Sequence, residues 1–402
     1  MKFFGICLVF LVFSANLLWS QGGGYGATLL MNGSSPVLVA MGDAGVALPV
    51  NDATSIIYNP AHLGFNVRSN NFLISYNFNE TPAGNSFKNP ITLRNFGINL
   101  GYELDSINNI PLIAGVSYIR RSASEIQFTR YNDSGRVMGD FNSSESSNEF
   151  SIGASYEYYA LLSFGLTYKL INSELSEITG SRSSNTGNTN ALDIGILAKI
   201  PVVQDYKLAD KLAADLDCSL GMALLNVGED LIVGEKEDPL PRMNSLGYSI
   251  SVGIKNINEN FQIKYLNIDW SASASSMLVR RDINGFGYTG MFGDLNIIDN
   301  LILLNHSGYV ESHHGFRFSF LETLSYSIGS NVLILNDMKT SGFEFSFKGL
   351  AKIIYYYSDD NFFRDFYNQA DLTFSISQIE RSHTYGEKFE KEYLGLNLNV
   401  KL

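Results

Sequence analysis

The sequence predicts an all-β protein, a transmembrane antiparallel β-barrel of about fourteen strands with an N-terminal plug segment inside its lumen. Three observations predict this fold. Apolar and polar residues alternate with a period of two over most of the chain. Several alternating segments run about nine to eleven residues, the length that a tilted strand needs to cross a bilayer. Short and long connectors alternate between these segments, because an outer-membrane barrel has short turns at its periplasmic end and long loops at its outer end.

The composition supports a membrane location. The 402 residues are 45% hydrophobic and 17% charged, and they include 22 Tyr and 27 Phe. Soluble domains carry roughly 25% charged residues. A formal net charge of -12 argues against a nucleic-acid partner, because that role needs a basic face. Cys7 lies in the first apolar run, so Cys218 is alone in the rest of the chain and no intrachain disulfide is expected.

Residues 1–20 are predicted to be a signal peptide. Lys2 gives the positive start, residues 3–13 form the apolar core, and cleavage is expected near Ser20. No later run of about 18 apolar residues exists, so no spanning helix is expected. The interpretation divides the chain into a signal peptide at 1–20, a plug or hatch segment at 21–70 and a barrel at 71–402.

The plug prediction depends on residues 41–64. This stretch is too polar and Gly-rich to cross a membrane and too apolar for a floppy tail. Gly and Pro here allow tight turns inside a narrow lumen, or they serve a moving gate, and the first explanation is favoured. Asn59 is expected to hydrogen-bond the barrel wall, with Asn99 or Ser75 as candidate partners. The candidate plug or gate residues are Met41, Gly42, Asp43, Gly45, Asn59, Pro60 and Ala61.

The strand segments place large apolar residues on one face and mostly Gly, Ser, Thr, Asn or single charges on the other. This pattern favours a wet lumen over the second packed layer of a soluble sandwich. The regular segments are 72–78, 96–104, 150–158, 162–170, 192–200, 246–254, 343–347, 372–376 and 394–402. Less regular ones are 112–118, 218–224, 261–270 and 316–320.

The requirement for a closed sheet limits the number of strands. About fifteen segments can be distinguished, and a barrel with both ends in the periplasm needs an even number, so fourteen strands are predicted with sixteen as the alternative. Because an open edge cannot survive in lipid, residues 394–402 are expected to pair with 72–78.

The connectors between strands are predicted from their composition and length. The Ser/Asn-rich stretches 122–147 and 172–189 are expected to be outer loops, and 201–214 a longish connector. Residues 271–312 are one long loop or hide further strands. The tyrosines at 355–357 are expected at a strand end, in an aromatic girdle.

Catalysis and metal binding find no support in the sequence. His313 and His314 have no Cys, His or Asp partners at ligand spacing, and no nucleophile elbow, phosphate loop or zinc-helix motif occurs. A non-enzymatic protein without cofactor or metal is expected. The lumen-facing charges are expected to be solvated; they are Glu103, Glu157, Lys169, Asp193, Lys199, Lys255 and Lys264.

An ordered series of motifs runs through the chain. It begins with 26–30 (GATLL), 41–47 (MGDAGVA) and 59–61 (NPA), and continues with 221–228 (GMALLNVG) and 239–248. The later members are 314–316 (HGF), 326–329 (YSIG) and 342–345 (GFEF). In this order the motifs resemble the PorV/PorQ group of outer-membrane proteins, relatives of the FadL-type transporters.

The resemblance implies a fourteen-strand barrel in the outer membrane with its N-terminal segment in the lumen. In the PorV branch such a barrel serves type IX protein secretion or surface attachment, which is the function expected here. In the FadL branch the plug gates passive diffusion of hydrophobic small molecules, which is the alternative. The expected partners are outer-membrane lipid, the barrel-assembly machinery, secretion components or cargo, and hydrophobic small molecules. A third hypothesis is an exported, soluble β-protein.

Overall fold

The computed structural model describes residues 26–68, 70–81, 91–107, 110–131, 136–177, 184–234, 236–256, 261–282, 285–332, 337–382 and 388–402. The predicted signal peptide lies outside these ranges. Within them, no helix combines the length and the apolar character that crossing a membrane would need.

Fourteen antiparallel strands form the closed barrel, and a fifteenth short strand of the same sheet, Ile126–Tyr131, pairs with the outer part of strand Val137–Glu157. The predicted count is therefore confirmed. The strands, numbered here in chain order, are β1 Asn71–Thr81, β2 Ile91–Ile107, β3 Ile110–Ala123, β4 Val137–Glu157, β5 Leu161–Glu177, β6 Ser184–Ala209, β7 Leu212–Gly228, β8 Met243–Asn256, β9 Lys264–Met277, β10 Val310–Phe320, β11 Leu324–Val332, β12 Asp337–Ser346, β13 Ala370–Ser382 and β14 Lys388–Lys401.

The barrel closes between its first and last strands, as predicted. β1 pairs with β14 from Asn71 opposite Lys401 to Glu80 opposite Glu392. The start of β1 and the end of β14 therefore lie at the end of the barrel that carries the short turns, such as 210–211 and 321–323. Short turns face the periplasm in outer-membrane barrels, so the opposite end is the outer one.

The two faces of the wall differ as the alternation predicts. Outward side chains such as Ile152, Ile196 and Phe343 are more than half exposed in the isolated chain. Their inward neighbours are small or polar and are buried, as Ser155 and Ser163 are. A closed barrel with an apolar outer band is an outer-membrane protein, because only a sheet without edges satisfies its backbone in lipid.

Several connector predictions are wrong. Much of 122–147 and 172–189 is strand rather than loop, and 201–214 is the end of β6, a tight turn and the start of β7. In the 271–312 stretch, β9 continues to Met277 and an outer excursion follows. That excursion holds a short hairpin, Val279–Asp282 with Gly285–Tyr288, and a π-helix, Ile297–Ile302.

The tyrosines at 355–357 lie in a helix and not at a strand end. Helix α3, Phe347–Ser358, and helix α4, Asn361–Gln369, connect β12 to β13 at the periplasmic end. The run Ile353 to Tyr357 is apolar at every position, so it fits a helix and a strand equally well. Ser346 caps α3 through Gly349 N, and Asp360 caps α4 through Phe362 N.

Ahead of β1, the N-terminal segment occupies the lumen. It contains a 3₁₀ turn at Thr28–Met31, helix α1 at Pro36–Ala40, a second 3₁₀ turn at Ala53–Ile57 and helix α2 at His62–Asn66. Leu38, Met41 and Leu63 are fully buried. Residues 26–68 are called the plug below.

Candidate functional site

A row of glycines on the inner wall receives the plug backbone. Gly101, Gly115, Gly153, Gly165 and Gly195 lie on five neighbouring strands, β2 to β6, and each is directly paired with the next. A Cβ atom on any of them would meet a plug residue closer than van der Waals contact allows. At Gly165, for example, the Cβ would meet the carbonyl of Pro60. The plug main chain therefore lies directly on the wall.

The contact continues around most of the remaining circumference. Met41 lies over Gly315 and Gly329, and Val46 lies over Gly221 and Gly247. The other wall glycines in contact with the plug are Gly97 at Ala53, Gly342 at Ala40 and Gly395 at Pro36. Only glycine, which has no side chain, leaves room for the plug at these points. The inner wall is therefore complementary in shape to the plug.

Wall hydroxyls satisfy the plug backbone between the glycine contacts. Ser163 Oγ donates to Ala61 O at 2.5 Å, Ser155 Oγ to Gly64 O at 2.7 Å, and Ser271 Oγ to Ala44 O at 2.6 Å. Further wall-to-plug hydrogen bonds are Ser249 to Ala47 O at 3.1 Å and Thr340 to Ala40 O at 2.9 Å. Irregular backbone at membrane depth needs such partners.

The predicted residues Asn59, Pro60 and Ala61 lie together against β5 and β6. Asn59 is fully buried; its amide donates to Val46 O at 2.8 Å and to the wall carbonyl of Ile196 at 3.1 Å. Its Oδ1 accepts from Ala61 N at 3.0 Å. A wall partner was therefore expected correctly, but Asn99 and Ser75 are the wrong ones: Ser75 Oγ accepts from Ala53 N instead.

Met41 and Gly42 lie against a different part of the wall, β10 and β11, and Asp43 and Gly45 follow them in the plug. Gly42 and Asp43 adopt the left-handed conformation, with φ of 72° and 62°. A side chain on Gly42 would collide with the backbone of Ser330, so glycine is required there. A Cβ on Gly45 would lie 2.8 Å from Leu38 and 2.9 Å from Tyr58. The hydrogen bond from the Asn59 amide to Val46 O connects the predicted residues of 59–61 to those of 41–45.

A pair of side chains ties the two halves of the plug together. Tyr58 donates its hydroxyl to Asp43 Oδ1 at 2.7 Å, and His313 of β10 lies 2.9 Å from Gly42 O through Nδ1. Burial raises the pKa of the Asp43 carboxyl, against a smaller lowering by His313. Burial and the Asp43 carboxyl raise the pKa of Tyr58 well above its usual range. Tyr58 therefore remains a hydrogen-bond donor at physiological pH.

Asp52 is a plug residue that the sequence did not single out. It is 1% exposed, and its Oδ1 accepts from Thr54 N at 2.8 Å and Thr54 Oγ1 at 2.9 Å, capping the second 3₁₀ turn. Asn77 of β1 donates to its Oδ2 at 3.1 Å and to Thr54 Oγ1 at 2.7 Å. The only available signal was an Asp two residues before a Thr, which is too common to mark an anchor.

Some lumen charges are buried pairs, contrary to the expectation of a solvated interior. Lys169 Nζ lies 2.7 Å from Asp193 Oδ2, and both side chains are at most 2% exposed. Lys169 also donates to Asn226 Oδ1 at 2.7 Å. By contrast, Lys199 and Lys255 form partly exposed pairs near the periplasmic end. Among the described residues, no group of three or more His, Cys, Asp or Glu side chains is placed to hold a metal ion.

Cavities lie on both sides of the plug. Two adjoining ones, about 400 Å³ and about 100 Å³, flank the first 3₁₀ turn at the outer side and are together called the outer chamber. A third, about 350 Å³, lies on the periplasmic side and is lined by charged and hydroxyl groups. The plug stretch 43–50 separates them, since Asp43 and Val46 line the outer chamber and Leu48 to Asn51 line the periplasmic cavity.

His62 gives the plug a predicted pH dependence. It is fully buried in α2, and no well-aligned hydrogen bond reaches either ring nitrogen. Burial lowers its pKa from 6.5 to about 4, although backbone groups of Val46 and Ser55 act weakly the other way. The unfolded segment therefore binds the proton more readily than the docked one. The stabilisation is complete above pH 6.5 and is lost as the pH falls towards 4.

We expect the free energy of opening of residues 53–67 to fall by about 2 kcal/mol between pH 7 and pH 5. Amide hydrogen exchange in nanodiscs, corrected for the intrinsic pH dependence of exchange, measures it. A His62→Met variant is the matched control and should lose this slope. A slope that is equal in both proteins would mean that His62 is not its source.

No protein-family model matches the sequence, and no curated protein matches it. Among solved structures, the chain is similar to the toluene transporter TodX of Pseudomonas putida, at 13% identity and a TM-score of 0.44, over 92% of this chain and 98% of that one. It is similar to a FadL homologue of Pseudomonas aeruginosa at 10% identity and a TM-score of 0.41, over 94% and 100% of the two chains.

The β domain of the Bordetella autotransporter BrkA also has a related shape, at 7% identity and a TM-score of 0.39, over 83% of this chain and 100% of that one. Identities of 7–13% and TM-scores below 0.5 assign no family. The function is therefore derived below from the residues of this chain.

Proposed function

We propose that the protein is a plugged outer-membrane channel for the passive uptake of small hydrophobic molecules. The observation that carries this proposal is the outer chamber, which is open to the cell exterior and has the plug as its floor. Its combined volume, about 500 Å³ from the two adjoining cavities, lies within the range of roughly 300–1,000 Å³ typical of small-molecule sites.

The lining of the outer chamber suits a largely apolar guest. Leu29 and Met31 come from the plug, and the wall adds further apolar groups. Polar and charged groups interrupt this surface, among them Asn331, the ammonium of Lys391 and the carboxylates of Asp43, Glu145 and Glu311. The apolar wall residues are Ile91, Leu93, Ala123, Met338 and Ile379. An apolar surface with a few fixed polar groups is the usual character of a ligand site.

The gate of this channel is the stretch 43–50. On its periplasmic side the cavity is lined by groups such as Lys264, Asp269 and Arg317, which a hydrophobic guest does not favour. Passage then requires 43–50 to leave the wall, which breaks the hydrogen bonds from Ser271 to Ala44 O, from Ser249 to Ala47 O and from Tyr58 to Asp43. A typical intramolecular hydrogen bond contributes about 0.5–1.5 kcal/mol, so a gate held by several of them opens rarely.

Filling the chamber should abolish binding. We expect Ala123→Trp to remove saturable binding of radiolabelled toluene to the protein in nanodiscs, because the indole occupies the space between Leu93 and the plug. Ala154→Trp is the matched control, since Ala154 lies on β4 beside an inward glycine and faces lipid. Empty nanodiscs give the partition background.

Equal saturable binding by native protein and Ala123→Trp would remove the outer chamber as the site. Absence of saturable binding in the native protein, for toluene and for a medium-chain alkane alike, would contradict uptake of hydrophobic molecules.

A second candidate is the secretion or surface-attachment role that the motif order suggests. It is favoured by an apolar patch on the outer side, where Phe292, Ile298 and Ile302 are each more than 60% exposed. Exposed patches of this kind are typical of protein contacts. If the barrel serves secretion, cross-linking from Ile298 in cells should return secretion components or cargo, and repeated recovery of lipid alone would contradict it.

A further inference from the structure

A helical hairpin projects from the periplasmic end of the barrel between β12 and β13. It consists of α3 and α4, joined at Asp359, which has a φ of 53°. The two helices contact each other through Tyr355 and Tyr367, whose ring centroids are 5.8 Å apart. With 12 and 9 residues, neither helix is long enough to span a bilayer.

One side of α3 faces the periplasmic mouth of the barrel. Lys348 and Lys352, one turn apart, line the mouth, and Lys352 Nζ lies 2.5 Å from Glu322 in the turn after β10. Gly349 packs on the backbone of that same turn. The helix is therefore held in a fixed rotation by contacts with the barrel.

The opposite side of α3 is apolar, and its exposure rises towards the end of the helix. Phe347, Leu350, Ile354 and Tyr357 recur at three- and four-residue spacing, away from the two lysines. Tyr357 is 84% exposed in the isolated chain. A regular apolar stripe with such exposure is typical of a helix that borders another apolar phase.

Helix α4 repeats this division. None of its residues is buried, and Phe362, Phe363 and Phe366 share one side. Phe362 is 67% exposed. Asn368, on the opposite side of the helix, lies at the mouth of the barrel. In each helix a polar residue opposite the apolar side thus lines the mouth, Lys352 in α3 and Asn368 in α4.

The apolar side continues the lipid-facing band of the barrel. Phe343 and Phe345 alternate on the outer face of β12, and Phe347 follows at the first position of α3. The rings of Phe345 and Phe347 meet edge to face, with centroids 5.0 Å apart. At the same end, Tyr158 and Tyr159 of the turn before β5 are 62% and 78% exposed, as expected of a periplasmic aromatic girdle.

We propose that α3 and α4 lie in the headgroup layer of the periplasmic leaflet, with their phenylalanines and tyrosines in lipid. Continuity with the lipid-facing band fixes the depth of the hairpin, and the lysines of α3 remain over the aqueous mouth. Aromatic rings with an apolar body and a polar tip prefer this layer. The inference concerns a second membrane contact and does not depend on what the lumen carries.

Single-tryptophan fluorescence tests this placement. Trp270 is the only tryptophan outside residues 1–20, and it stacks on Phe316 on the outer face of the barrel. In a background with both Trp19→Phe and Trp270→Phe, Tyr357→Trp and Phe362→Trp place a reporter on each helix. In proteoliposomes of phosphatidylcholine with brominated acyl chains, we expect both reporters to lose at least about half their emission and to resist iodide.

Asn368→Trp is the matched control, because it lies on the same hairpin but lines the aqueous mouth. It should be quenched by iodide and not by bromine. Tyr159→Trp gives the reference for the girdle depth. If Tyr357→Trp and Phe362→Trp are quenched by iodide and not by bromine, while Tyr159→Trp is quenched by bromine, the hairpin stands in water or against a protein. That result overturns the proposal, as does iodide-resistant emission without bromine quenching.

Discussion

Gly165→Leu should leave the barrel assembled and displace the plug. A Cβ at this position meets the backbone of Pro60 and Ala61, and no side-chain rotation relieves a contact with main chain. Overpacking a fitted contact costs typically about 1–3 kcal/mol, and backbone that cannot move aside puts this one at the upper end. We expect a stable ion conductance in planar bilayers that the native protein lacks, with faster amide exchange at residues 58–67.

The size of the added side chain should set the effect, so Gly165→Ala should open the plug less than Gly165→Leu. Gly308 provides the matched control, because nothing lies within 4 Å of a Cβ built there. Gly308→Leu should conduct no more than the native protein. Heat-modifiable migration in gels verifies that each variant has a closed barrel. A closed Gly165→Leu barrel without conductance or faster exchange would mean that the plug does not depend on this contact.

Asp52→Ala should be the most damaging substitution within the plug itself. It removes the acceptor of Thr54 N and one of the two acceptors of the Asn77 amide, so that one N–H of this amide is left without a partner and the other keeps Thr54 Oγ1. Losing a cap costs about 0.5–2 kcal/mol, and an unsatisfied buried donor adds about 1–3 kcal/mol. We expect the opening free energy of Ala53–Ile57 to fall by about 3 kcal/mol in amide exchange.

Asp360→Ala separates the cost of losing a helix cap from the cost of an unsatisfied buried donor. Asp360 caps α4 by accepting from Phe362 N at 2.9 Å, but it is exposed and touches no wall residue through that carboxylate. Its loss should cost only the capping term and should leave exchange in the plug unchanged. A plug that is equally stable in native and Asp52→Ala proteins would remove Asp52 as its anchor to β1.

The barrel could be predicted from the sequence because lipid and lumen impose opposite chemistry on alternate residues. Gly101, Gly153 and Gly165 fell on the polar side of the alternation, so their inward direction was predictable. The contact of the plug backbone with these glycines was not predictable, because nothing in the sequence pairs residue 63 with residue 153. The outer extensions of β4 to β6 were missed because strands beyond the bilayer need no apolar face.

For the plug residues, the sequence predicted that a hydrogen-bond partner exists but not which group it is. Asn59 was expected to bond the wall, and it does so, but through a backbone carbonyl that every residue carries. The anchoring role of Asp52 was not predicted, because its partner Asn77 is distant in sequence and has the pattern of any inward strand residue. The Lys169–Asp193 pair was expected in water, because alternation gives the face of a charge and not its burial.

A reversible cross-link between gate and wall tests the central claim most directly. Val46 Cβ lies 3.2 Å from a Cβ built on Gly247, close to the roughly 3.5–4.5 Å that a disulfide needs. With Cys218→Ser, the pair Val46→Cys and Gly247→Cys should cross-link in the folded barrel and stop uptake of toluene, and reduction should restore it. Uptake at the native rate with the cross-link fully formed would contradict a plug that must leave the wall for the channel to open.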